Sequence, residues 1–196
     1  MARGRLRSRR EVLERVGALG ASLRGGLEQL PAAARDPAVV EALWQAEGLG
    51  TLLWAFELVT LPPFDRTFDP RALLAAAASL REARLRDATA IEHTREAARL
   101  WHWRARTSLL RADGELELPG GWQSFEQLIA VAALRGHERG LLPAPLRGDF
   151  PAFGTGYRGL SREQHAETLS IAYERHRALN WLCSRGGGWA ETPTDT

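Results

Sequence analysis

The sequence has no lysine, one cysteine, one methionine and two tyrosines among its 196 residues. Each scarcity excludes something. Without lysine there is no phosphate-binding loop of the Walker type. One cysteine, Cys183, rules out an intramolecular disulfide and any multi-thiolate metal site. No apolar run approaches the roughly 20 residues that cross a bilayer, and the N-terminus lacks the apolar region of a signal peptide. The expected protein is soluble and cytoplasmic, with no membrane contact.

What is abundant is arginine, which supplies all 26 basic residues. Five of them (Arg3, Arg5, Arg7, Arg9 and Arg10) fall in the first ten residues, and the rest of the chain carries 21 arginines against 24 acids. The pI of about 9.3 therefore describes a basic tip on a mildly acidic body. Residues 1–8 are expected to be a disordered tip and 9–196 a single domain with an ordered C-terminal tail.

Helix signals dominate. Ser8 with Glu11, Ser124 with Gln127, and Ser161 with Gln164 have capping-box spacing. Asp36-Pro37 and Asp69-Pro70 pair an N-cap with proline at the first helical position, and Asp87 opens a longer helix. Gly25-Gly26 is expected to end the first segment. "LPPFDRTFDP" reads as a loop, as does the Gly-, Pro- and aromatic-rich stretch between the last two helices. "RADGELELPGGW" alternates, leaving room for one short β-hairpin near 113–122. The expected fold is all-α, one compact domain of about six helices.

The last helix, "YERHRALNWLC", poses a problem of its own. At 100° per residue Ile171, Ala178, Leu182, Leu179, Ala172 and Cys183 share one arc, and Arg175 falls inside it. His176 and Asn180 sit one turn apart at its edge, while Glu174, Arg177 and Trp181 face away. A buried guanidinium needs a carboxylate or several carbonyls. Either Arg175 and His176 face a pocket and hold an anionic ligand, or Arg175 closes an ion pair that pins another segment, the C-terminal tail through Glu191 or Asp195 being one choice.

On the helix from Asp87, Arg95, Arg99, His102 and Arg106 form a basic stripe. Such a stripe can hold nucleic acid, but Glu92 and Glu96 stand at pairing distance and Trp101 points with the core set. Nucleic acid is therefore the third choice of partner. No metal-ligand spacing links the five histidines, and no nucleophile elbow surrounds any serine. "GTGYRG" precedes a helix N-terminus but follows no strand, which favours tight turns over phosphate binding.

"GHERGLLPAPLRGDFPAFGTGYRGLS", "SIAYERHRALNWLC" and "WAETPTDT" resemble the C-terminal half of the bacterial domain-of-unknown-function family 4272, and "WQAEGLGTLLWAFELVTLPPFD" looks like its Trp-bearing central helix. The resemblance covers about residues 36–196. It implies a mostly helical bacterial protein and brings no activity, cofactor or catalytic residue with it. It also suggests that loop, helix and tail pack together, with Trp189 anchoring the tail and the acids beyond it reaching Arg175.

The leading expectation is a non-catalytic binding protein for a protein partner or a small anionic ligand. Its polar cluster would be Arg175, His176 and Asn180, with Tyr157, Arg158, Trp189 and Asp195 nearby. The alternative is a small hydrolase or phosphate-handling enzyme. It would use His137 or His176 as base, Glu138 or Asp149 to orient it, and Arg175 or Arg158 to stabilise an anion. No cofactor or metal is expected. A cleft joining histidine, carboxylate and arginine would favour the enzyme.

Overall fold

The computed structural model describes residues 6–183 and 187–196. Six helices carry the fold: α1 Arg9–Ala33, α2 Pro37–Ala55, α3 Pro70–Ala77, α4 Ala88–Ala112, α5 Phe125–Glu138 and α6 Arg162–Leu182. Each begins where its cap predicts, with Ser8, Asp36, Asp69, Asp87, Ser124 and Ser161 accepting first-turn N–H groups. At Ser8 and Ser161 the box is reciprocal. At Ser124 the reaching side chain, Gln127, takes the N–H of Gln123 instead.

Helix α6 lies between α2 and α4, and α1 covers α2 from the other side. The core is built from Leu49, Leu52 and Leu53 of α2, Ile91, Ala98 and Trp101 of α4, and Ile171, Leu179 and Leu182 of α6. Two loops close over Trp101. Phe64 stacks on its ring at 5.2 Å and Phe150 meets it edge-on at 5.3 Å.

The structure corrects several expectations. Helix α1 runs through Gly25 and Gly26 to Ala33. Gly26 serves close packing, because a Cβ there would sit 2.9 Å from that of Ala42 on α2. The stretch 113–122 contains no strand. Its Glu-Leu alternation has no second strand to pair with, and a lone strand leaves its ladder groups unmade. The hairpin lies instead at β1 Pro151–Ala152 and β2 Thr155–Gly156. Phe153 and Gly154 form its two-residue turn with φ of 49° and 74°, as a primed turn requires.

Leu6, Arg7 and Ser8 are not loose. The Arg7 backbone N–H donates to Leu182 O, its Nε to Trp181 O at 2.8 Å, and its guanidinium also reaches Gly187 O. The first five residues lie outside the described ones. These contacts and Arg15 of α1 bury Trp181, while α2 at Gly48 and Arg177 bury Glu174, although both point away from the apolar arc of α6. The tail packs back through Trp189, whose ring meets Trp181 at 5.6 Å and lies under Arg15 and Arg177 at 5.2 Å each. No helix among the described residues is long and apolar enough to cross a membrane.

Candidate functional site

Among the described residues, buried ionisable side chains gather at three places, and two of them are closed. The first is Arg175. Its Nε donates to Glu47 Oε2 at 2.8 Å, and Nη2 lies at ion-pair distance, 2.8 Å, from the same oxygen. Nη1 donates to Pro62 O and Pro63 O at 2.6 and 3.1 Å, and Nη2 also to Arg66 O at 2.8 Å. Every nitrogen of the guanidinium therefore has a hydrogen-bond acceptor. Glu47 Oε1 accepts the Phe68 N–H at 2.8 Å, and Arg175 lies over the Phe64 and Phe68 rings. Burial raises the Glu47 carboxyl above its ordinary range, and Arg175 beside it opposes that shift. Arg175 therefore pins the loop after α2, not the tail. Glu191 instead accepts the Gly188 N–H, and Asp195 is exposed.

The second is Asp149, which is wholly buried. Oδ1 accepts from Arg104 Nε at 2.7 Å and Phe150 N at 2.8 Å; Oδ2 accepts from Arg104 Nη2 at 2.8 Å and Arg158 N at 2.9 Å. Despite its burial, the bonds from Arg104 and the backbone hold the carboxyl below its ordinary range. Tyr157 lies beneath Arg104 at 4.5 Å, and the Arg158 side chain, about half exposed, approaches Asp149 at 3.6 Å. Asp149 orients no histidine. His137 sits at the exposed end of α5 with Nδ1 3.2 Å from Leu142 O, and Glu138 beside it faces solvent. The catalytic set drawn from His137, Glu138, Asp149 and His176 is not assembled.

The third place is open. Helices α2, α4 and α6 leave a cleft of about 420 Å³ between them, closed at one side by Thr194 of the tail. Trp44 and Glu41 line it from α2, His102, Arg106 and Leu109 from α4, and Tyr173 and Glu174 from α6. Its volume lies within the usual range of small-molecule sites, about 300–1,000 Å³.

His102 is the cleft's histidine, and the residues behind it fix its tautomer. Arg95 Nη1, which can only donate, contacts Asn180 Oδ1 at 3.3 Å. The Pro193 carbonyl, which can only accept, contacts Asn180 Nδ2 at 2.8 Å. Together they set the amide's orientation. The second Nδ2 hydrogen then donates to His176 Nε2 at 3.0 Å. His176 must carry its proton on Nδ1, which donates to His102 Nδ1 at 3.1 Å. His102 is left with its proton on Nε2, and that atom meets no protein acceptor among the described residues. Burial holds both imidazoles neutral. It pushes His102 down to about 4, helped by the Arg106 charge. It pushes His176 down to about 3, helped by His102, Arg95 and Arg99.

Glu174 is the cleft's buried carboxyl. Burial pushes it up to about 7, against the pull of Arg177 and with added repulsion from Glu41 and Glu47. Arg177 Nη2 donates to its Oε2 at 2.6 Å, and its Oε1 accepts no hydrogen bond among the described residues. Glu41 and Arg106 form no ion pair among them either.

Of the α4 stripe, Arg95 pairs with Glu92 and Arg99 with Glu96, three residues apart as the spacing predicts, and Arg95 also reaches the adjacent Glu96. Trp101 is in the core. His102 turns inward and only Arg106 stays available, so the stripe is not a continuous cationic surface. Among the described residues no group of three or more histidines, cysteines and acids is placed to hold a metal ion.

His176 and Asn180, prominent on the helical wheel of α6, support the cleft from behind, while the cleft's own His102 belongs by spacing to the α4 stripe and Glu174 to the outward face of α6. For Glu47 a signal was available: Glu41 and Glu47 are the only charges from Pro37 to Phe56. Comparison of the chain with protein-family models, curated proteins and solved structures gives no match.

Proposed function

We propose that this is a non-catalytic binding protein whose α2/α4/α6 cleft takes a small ligand with an anionic or acceptor group. The observation that carries the reading is the tautomer chain. A general base needs a free lone pair within reach of its substrate. The His102 lone pair is occupied by His176, so the cleft meets an N–H donor instead. A neutral donor fixed by four further residues is suited to holding an acceptor, and Arg106 at the same wall supplies charge. Trp44, Leu109 and Tyr173 supply apolar surface for the rest of the ligand. Membership of family 4272 belongs to the same proposal and rests on the sequence motifs alone.

One observation favours a second reading. A carboxyl pushed up to about 7 in a cleft with histidine and arginine has the properties of a general acid or base, which would make the protein a hydrolase acting through Glu174. The two are separated by screening small carboxylates, phosphates and their esters against the ¹⁵N-labelled chain while following product formation. The binding reading expects shifts at His102, Tyr173 and Thr194 without turnover. Turnover that Glu174→Gln abolishes would replace it with the enzyme. Shifts confined to other surfaces would remove the cleft from both readings.

A further inference from the structure

The charges of the cleft are not mixed. Its α4 wall carries the cation Arg106 and the donor His102, while the α2 and α6 walls carry Glu41 and Glu174. A simple anion entering there meets two carboxyl groups, and a simple cation meets Arg106. A ligand carrying both charges satisfies both walls.

We propose that the cleft binds an amino-acid-sized zwitterion, its anionic end against Arg106 and the His102 Nε2–H and its cationic end against Glu41 and the free oxygen of Glu174. This rests on the reading of the cleft as a binding site. Three independent features support it. Glu41 and Arg106 have no ion-pair partner among the described residues, and Glu174 Oε1 has no donor, so each has bonding capacity left. The 420 Å³ volume suits a molecule of a dozen or so heavy atoms, not a polymer. Trp44 and Tyr173 place aromatic rings in the cleft, where they can cover an apolar body or face an ammonium group. The electrostatics agree with the division of the walls: Arg106 acts on His102, and Glu41 acts on Glu174.

Three probes with one apolar body and different charges test this: L-phenylalanine, 3-phenylpropionate and phenethylamine, titrated into the full ¹⁵N-labelled chain. L-Phenylalanine is expected to shift the cleft resonances and to bind at least about tenfold tighter than either singly charged probe, the loss of one charge-assisted contact. Arg106→Gln should weaken L-phenylalanine and phenylpropionate and leave phenethylamine unchanged. Glu41→Gln should weaken L-phenylalanine and phenethylamine and leave phenylpropionate unchanged. Both residues are exposed, so neither change endangers the fold. If a singly charged probe binds the cleft as tightly as L-phenylalanine, the zwitterion inference falls while the binding reading stands. If none of the three shifts the cleft, the inference falls too, and the wider screen decides the binding reading separately.

Discussion

Replacing Arg175 by methionine keeps most of the side chain's volume and removes its charge and five donors. What remains is a Glu47 carboxyl almost without exposure and three loop carbonyls that have lost their donor. Breaking a buried ion pair by removing one partner costs roughly 3–5 kcal/mol. The carbonyls of Pro62, Pro63 and Arg66 belong to a loop that can rehydrate, so they add little to that range. A domain of this size has on the order of 5–15 kcal/mol in total, so Arg175→Met should fold with a much lower urea midpoint. Far-UV circular dichroism would follow the transition, with unchanged m as the sign of an intact two-state reaction. The double change Arg175→Met with Glu47→Met removes the abandoned carboxylate as well. It should cost less than the sum of the singles by about 1–3 kcal/mol, since the two side chains touch. An Arg175→Met variant within about 1 kcal/mol of the wild type, or strict additivity in the double, would refute the assignment of Arg175 as the staple of the 58–68 loop.

Other perturbations test other parts. Asp149→Ala strips Arg104 of its carboxylate and two backbone N–H groups of their acceptor, and should cost roughly 3–5 kcal/mol in the same urea assay. Gly50→Ala would set a Cβ 2.4 Å from the Phe68 ring, and that overpacking should cost about 1–3 kcal/mol. Stability should depend on pH in two opposed ways. Glu174 has a native pKa of about 7, above its unfolded value, so its contribution is full below about pH 4.5 and is lost as pH rises through 7. The size is about 3 kcal/mol at 1.36 kcal/mol per unit, and Glu174→Gln should abolish it. His102 and His176 have native values of about 4 and about 3, below their unfolded ones. Their contribution is present above about pH 6.5 and falls away as the solution is acidified. Urea midpoints from pH 3 to 8 would resolve the two limbs, and a flat profile would contradict both.

Local signals made the helices legible. Ser, Asp and Pro act through the first turn alone, so Ser8, Asp36, Asp69, Asp87, Ser124 and Ser161 could each be read without knowing the fold. Glycine could not. Gly26 permits close approach of α2, whereas Gly154 forms a turn, and only the neighbours decide which. The angle of Arg175 on the helical wheel correctly marked a buried cation, yet its partner lies 128 residues away, a separation no spacing rule bridges. The same holds for the cleft. His102 looked like part of a surface stripe because α4 was read alone; α6 covers that face. Glu174 points away from the apolar arc of α6, but α2 at Gly48 and Arg177 lie against it, and neither is visible from α6 alone.

The central claim is that the His102 ring offers the cleft a donor and not a base. The most direct test is the ring-nitrogen tautomer of His102 and His176, read by long-range ¹H–¹⁵N correlation at neutral pH. The account expects a protonated Nε2 and an unprotonated Nδ1 on His102, the reverse on His176, and both rings still neutral at pH 5. A His102 with its proton on Nδ1 and a free lone pair on Nε2 would contradict it, and would leave that histidine able to act as a general base.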